Sequence, residues 1–174
     1  MKLGLAAIVG VISAAAAATS AYSAGPVNAN TTAAANIVAA QQLTATQSLD
    51  FGTIAKPISG VSTVTLAPTG AATQTPTVTG TAFVPVPGQG RAAIFHMLGT
   101  NGQTYSVAQP TLSFTAQAGN LSNIVTSFAT ASGSTTALPV TGQDDLFVAA
   151  KMDIDANTAV QAYTGTVAVT VTFN

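Results

Sequence analysis

The chain holds one histidine, no cysteine and no tryptophan, so the side chains able to do chemistry can be taken one by one. His96 sits in the apolar run Ala92-Ala93-Ile94-Phe95-His96-Met97-Leu98. As a general base it would need a nucleophile and an orienting carboxylate. The G-x-S-x-G turn that presents a serine in many hydrolases does not occur. His96 therefore reads as a strand residue with a hydrogen-bonded ring. Asp144-Asp145 and Asp153-x-Asp155 are the closest carboxylate pairs. A calcium site wants roughly six to eight oxygens, and this spacing matches no EF-hand loop, so exposed turn and strand-end carboxylates are the expectation. Gly88-Gln89-Gly90-Arg91 lacks the further Gly or Lys of a phosphate cradle and reads as a turn. Without cysteine, thiol chemistry and Cys-based metal sites are excluded. Asn30-Thr31-Thr32 and Asn120-Leu121-Ser122 match the glycosylation sequon. No catalytic, cofactor-binding or metal-ligating residue is expected, and no cofactor.

The composition points the same way. Of 174 residues 48% are hydrophobic and only 5% charged, with a formal net charge of −1. An average soluble domain carries about 25% charged residues. Nothing here supplies the basic footprint of a nucleic-acid binder. Met1-Lys2 precedes an uncharged run over 3–18, shorter than the roughly 20 residues of a membrane-spanning helix. Small residues follow, and Ala21-Tyr22-Ser23 suits a signal peptidase. This predicts a signal peptide over 1–23, with cleavage after Ser23 or Ala24, and hence an exported chain with no membrane insertion once cleaved.

The elements that must position everything else are strands. Alternation with period two predicts strands at 36–46, 49–54, 61–66, 81–86, 92–98, 104–107, 111–116, 124–128, 146–154 and 165–174. In the last of these Val167, Val169, Val171 and Phe173 share one face. Gly- and Pro-bearing turns separate the runs, and Asn101-Gly102 is the best hairpin signal. A flexible leader is expected over 24–35, a single domain over 36–174, and a Thr-rich loop or edge over 71–79. Short strands at this spacing argue for an all-β antiparallel sandwich or barrel. An outer-membrane barrel would want aromatic girdles, and aromatic residues make up 6% of the chain.

Three segments carry a resemblance: Leu49-Asp50-Phe51-Gly52-Thr53-Ile54, Gly102-Gln103-Thr104-Tyr105-Ser106-Val107, and Tyr163-Thr164-Gly165-Thr166 leading to Val169-Thr170-Val171-Thr172-Phe173. Together they resemble an exported bacterial family, domain-of-unknown-function 4402. More distantly they are similar to spore-coat-U-type and archaic chaperone–usher pilin subunits. The resemblance implies an immunoglobulin-like, pilin-like sandwich acting as structural subunit of a surface fibre. Subunits of that kind join by β-strand addition. Its implied partners are copies of itself or related subunits, with a periplasmic chaperone and an outer-membrane usher. Its implied location is the periplasm in transit, then the cell surface. Val167, Val169, Val171 and Phe173 would form the assembly and chaperone-contact strand, unless that strand is already paired inside a complete sandwich. Ile37, Ala39, Leu43 and Ala45 would form the inserting face of a donor strand, unless 36–46 is the domain's own first strand. A secreted, self-complete binding or adhesion module is the alternative.

Overall fold

The computed structural model describes residues 34–115 and 121–174. The expected signal peptide, both sequon asparagines and the leader as far as residue 33 lie outside them. Contacts divide the chain into two units, 1–36 and 37–174, and the ten strands found among the described residues belong to the second.

The second unit is all-β and antiparallel, with no helix among the described residues. Its strands are β1 (Gln42–Gln47), β2 (Val61–Thr65), β3 (Thr77–Thr79), β4 (Ala93–Leu98), β5 (Tyr105–Val107), β6 (Thr111–Phe114), β7 (Ser122–Thr130), β8 (Gln143–Asp155), β9 (Gly165–Ala168) and β10 (Val171–Phe173). The main sheet runs β1-β4-β8-β2-β3, and β7 also pairs with β8. One side of β8 serves two partners in succession, β4 through residues 143–148 and β2 through residues 151–155. Two smaller pairs, β5 with β10 and β6 with β9, form the remaining sheets. The sheets do not close into a barrel, and the arrangement is consistent with a β-sandwich.

Period-two burial explains why β8 is the spine. Leu146, Val148, Ala150, Met152 and Ile154 are buried, while Asp145, Phe147, Lys151 and Asp153 on the opposite face are only half-buried. Two apolar clusters fill the interior. One centres on Val64, Leu66, Ala149 and Met152, with Leu112 and Phe114 of β6 packed onto it. The other centres on Met97, Leu146 and Val148, and Val107, Val167, Val169, Val171 and Phe173 pack onto it from the smaller sheets. Each fully buried Leu or Val contributes roughly 1.5–3 kcal/mol by leaving water.

Several expected elements differ in extent. The first strand begins at Gln42 and not at residue 36. Segments 49–54 and 81–86 pair only through isolated bridges, Asp50 with Arg91 and Ala55 with Phe83. Gly52 interrupts the former at φ 69°, its N–H donating 2.8 Å to the Asp50 carboxylate. Pro85 and Pro87 have no N–H to give a ladder. Segment 71–79 supplies the edge strand β3. The final run divides into β9 and β10 where it passes 108–110 of the facing ribbon, whose Pro110 likewise cannot donate. Asn101-Gly102 is a turn but joins no hairpin, because β4 and β5 belong to different sheets. Only Gly102 of the two takes a positive φ, 66°, which excludes the type I′ geometry expected there. The strands expected at 124–128 and 146–154 extend to Ser122–Thr130 and Gln143–Asp155.

Candidate functional site

An open groove of about 1190 Å³ lies in the second unit. One wall runs over residues 45–56, the end of β1 and the chain that follows; the other runs over residues 158–167, ending in β9. Between them the floor is apolar, made by Phe95, Leu112, Phe114, Leu121, Met152 and Ile154. The only charged residues in the lining are Asp50 and Lys56, and both are engaged. Asp50 lies 3.6 Å from Arg91, and Lys56 Nζ donates 2.9 Å to the Ala156 carbonyl.

That last bond also sets the polarity of the groove. It ties the end of the first wall to the start of the second, so the walls run in opposite directions. An extended segment laid between them is therefore parallel to one wall and antiparallel to the other. Among the described residues β1 pairs with β4 alone and β9 with β6 alone, and residues 45–47 of β1 and 165–167 of β9 line the groove. A strand edge without a partner is a template for a further strand.

Local chemistry shapes both walls. The Gly52 turn bends the first, and a Cβ at Gly52 would come within 3.0 Å of Gln89. Asp155 anchors the second, its carboxylate accepting from Asn157 N–H at 2.8 Å and from the Thr158 hydroxyl at 3.2 Å. Further along, Tyr163 donates its hydroxyl 2.8 Å to the Ala159 carbonyl and sets its ring edge-on to Phe114, centroids 6.4 Å apart.

The residues singled out from sequence divide between the second core cluster, the groove and the chain ahead of β1. All four of Val167, Val169, Val171 and Phe173 pack on the second core cluster, the Phe173 ring 6.2 Å from that of Tyr105, and Val167 also lines the groove. Leu43 and Ala45 belong to β1, opposite Met97 and Phe95, and Ala45 lines the groove. Ile37 and Ala39 precede β1, exposed and outside any strand. The sequence singles out the 49–54 motif and Tyr163-Thr164 but not 158–162, a stretch with no periodic pattern to flag it as a wall.

Away from the groove, His96 on β4 faces Asp145 on β8, Nδ1 to Oδ1 2.6 Å. Asp144 is buried, not the exposed turn carboxylate expected. It accepts from Ser132 N–H at 3.1 Å, Ser132 Oγ at 2.5 Å and Asp145 N–H at 2.9 Å, which fixes the turn after β7. Asp153 accepts from Thr63 Oγ1 at 2.6 Å and Asn123 Nδ2 at 3.0 Å. Among the described residues no three His or carboxylate side chains gather as metal ligands. Burial raises the Tyr105 phenol above its ordinary pKa, with the Asp144 charge adding to the effect. Its hydroxyl donates 2.7 Å to the Ser134 carbonyl.

Fold and groove define a class: an all-β, antiparallel domain with an uncharged-floored groove between the chain at 45–56 and the chain at 158–167. The chain belongs to the family described as Domain of unknown function (DUF4402), which matches residues 41–173. No curated protein and no solved structure matches it.

Proposed function

We propose that this chain is an exported structural subunit of a surface fibre, an immunoglobulin-like, pilin-like sandwich that another copy completes by β-strand addition. The observation that carries the reading is the groove: an apolar floor with the end of β1 in one wall and the start of β9 in the other, each strand having one partner strand among the described residues. A strand seated there gains main-chain hydrogen bonds on both sides, each worth about 0.5–1.5 kcal/mol net, and buries alternate side chains in the floor. The donor is the segment ahead of β1, acting through Ile37 and Ala39. Leu43 and Ala45 are occupied in β1, so they cannot insert elsewhere while that strand is paired. In transit a periplasmic chaperone lends the missing strand, and an outer-membrane usher exchanges it for the next subunit's segment. The role is architectural and not catalytic.

Competition tests this directly. Refolding the full chain with excess synthetic peptide of residues 34–41 is expected to shorten the multimers seen by size-exclusion chromatography with light scattering. Filled grooves cannot take a neighbour's strand. Multimers of unchanged size at saturating peptide would overturn the reading.

A further inference from the structure

The main sheet and the ribbon formed by 105–114 with 165–174 meet along two sides, and the two differ. On one side the groove lies open between β1 and β9. On the other, β7 and the 105–114 stretch approach without pairing: among the described residues β7 pairs with β8 alone and β6 with β9 alone. A cleft of about 420 Å³ lies between them, lined by residues 109–112 and 124–126. The outer side of β7 is therefore a second edge. Its Thr126 carbonyl points off the sheet, because Ala150, the residue opposite, turns its own carbonyl to the Leu66 N–H across β8.

That edge is long and uncharged. The nine residues of β7 include no ionisable side chain and no proline, the usual means by which an exposed edge resists another chain. Other groups guard it. At its start the register shifts between Ser122 and Val125, with Asn123 at φ 48°, which disrupts the ladder. At its end the Gly133 N–H donates 3.1 Å to the Thr130 carbonyl. In the middle stands the Gln109 carboxamide. Its Nε2 donates 2.8 Å to the Thr126 carbonyl and 2.8 Å to the Thr126 hydroxyl, and that hydroxyl donates to the Pro110 carbonyl. The guards at the two ends are features of the backbone; the Gln109 cover is one side chain reaching over from another segment.

We propose that Gln109 is the gatekeeper of this second edge, and that with its cover removed the β7 edges of two copies pair antiparallel about a two-fold axis. A second copy fits as occupant because the strand matches itself. A two-fold centred on Thr126 sets Val125 of each copy opposite Ser127 of the other and brings no like charges of the two strands together. In the native chain the cover leaves the groove as the side that accepts a strand. Resting on the fibre reading, this makes growth linear and unbranched.

Gln109→Met keeps the length of the side chain and loses both bonds, whereas Gln109→Ala removes the cover. Each is made in the full chain, alone and with Ala45→Glu, which puts a charge in the groove wall. With the groove blocked, both are expected to give a dimer by size-exclusion chromatography with light scattering, at concentrations where Ala45→Glu alone is a monomer. Adding Ser127→Lys, at an exposed position of β7, should return them to the monomer by charging the pairing edge. A fold merely loosened by the lost bonds would not respond to that lysine. Monomers from both Gln109 variants with an intact thermal melt overturn the proposal, as does a dimer that Ser127→Lys leaves unchanged. With the groove open, negative-stain images should show branched or side-by-side fibres; single fibres like those of the parent refute the gatekeeper and leave strand capture standing. A parent chain that forms no fibres refutes strand capture instead, while a dimer that requires the Gln109 substitution and is lost with Ser127→Lys upholds the gatekeeper.

Discussion

Ala45→Glu is expected to abolish assembly while leaving the monomer as stable as the parent. Ala45 is exposed in β1, lines the groove and shares a face with Leu43 across from Phe95 and Met97. In the free domain a glutamate there stands in water and touches nothing it must displace, so the change in folding stability stays within about 0.5 kcal/mol. Once a strand lies in the groove the same carboxylate is covered, above an apolar floor with no cation to meet it: Lys56 is bonded to Ala156 at the far end of the wall. Leaving a charge buried and unpaired costs about 3–5 kcal/mol, which weakens strand capture by at least a hundredfold or so. Light scattering reads the loss of multimers, and a thermal melt checks that the fold is intact. Ala45→Val, apolar and suited to a strand, should retain assembly.

The second large effect concerns the core. Leu146→Ala removes a side chain with no exposed surface, where β8 meets β4 on one side and β7 on the other. A buried Leu→Ala change costs about 2–5 kcal/mol, a loss of roughly 5–15 °C in Tm for a domain of this size. One residue earlier the chain faces the other way. Asp145→Ala removes a half-exposed partner of His96, and its cost should stay at or below about 1 kcal/mol. Denaturant titration of the two variants checks the facing of β8. Equal losses would mean that the alternation of the spine strand has been misplaced.

Much of this architecture is legible in the residues, for reasons that differ by element. In β4 and β8 one face is buried and the other half-open, so apolar and polar residues alternate and the strands can be found by eye. Their ends are harder. Asp144 looks like a turn residue, yet it belongs to β8 because three donors from 132 and 145 satisfy its carboxylate in the interior. Asn101-Gly102 misleads in the opposite sense: the pair turns the chain, but the two strands it joins leave for different sheets, a tertiary choice that local turn chemistry does not encode. The groove is the least legible feature. Its walls lie about a hundred residues apart, at 45–56 and 158–167, and an edge exists only by virtue of which strands do not come to pair there. The Val167, Val169, Val171 and Phe173 row reads identically whether it faces a groove or a core; in the structure all four pack on the second core cluster and Val167 also lines the groove.

Negative-stain microscopy paired with size-exclusion chromatography, applied to the full chain and to a deletion of residues 34–41, tests strand capture most directly. Strand addition predicts fibres or a ladder of multimers from the full chain. The deletion should give a monomer that keeps its β-sheet circular dichroism, since β1 begins at Gln42. A full chain that remains a stable monomer at all concentrations, with the deletion indistinguishable from it, would contradict the fibre reading and leave a self-complete domain whose groove serves another ligand.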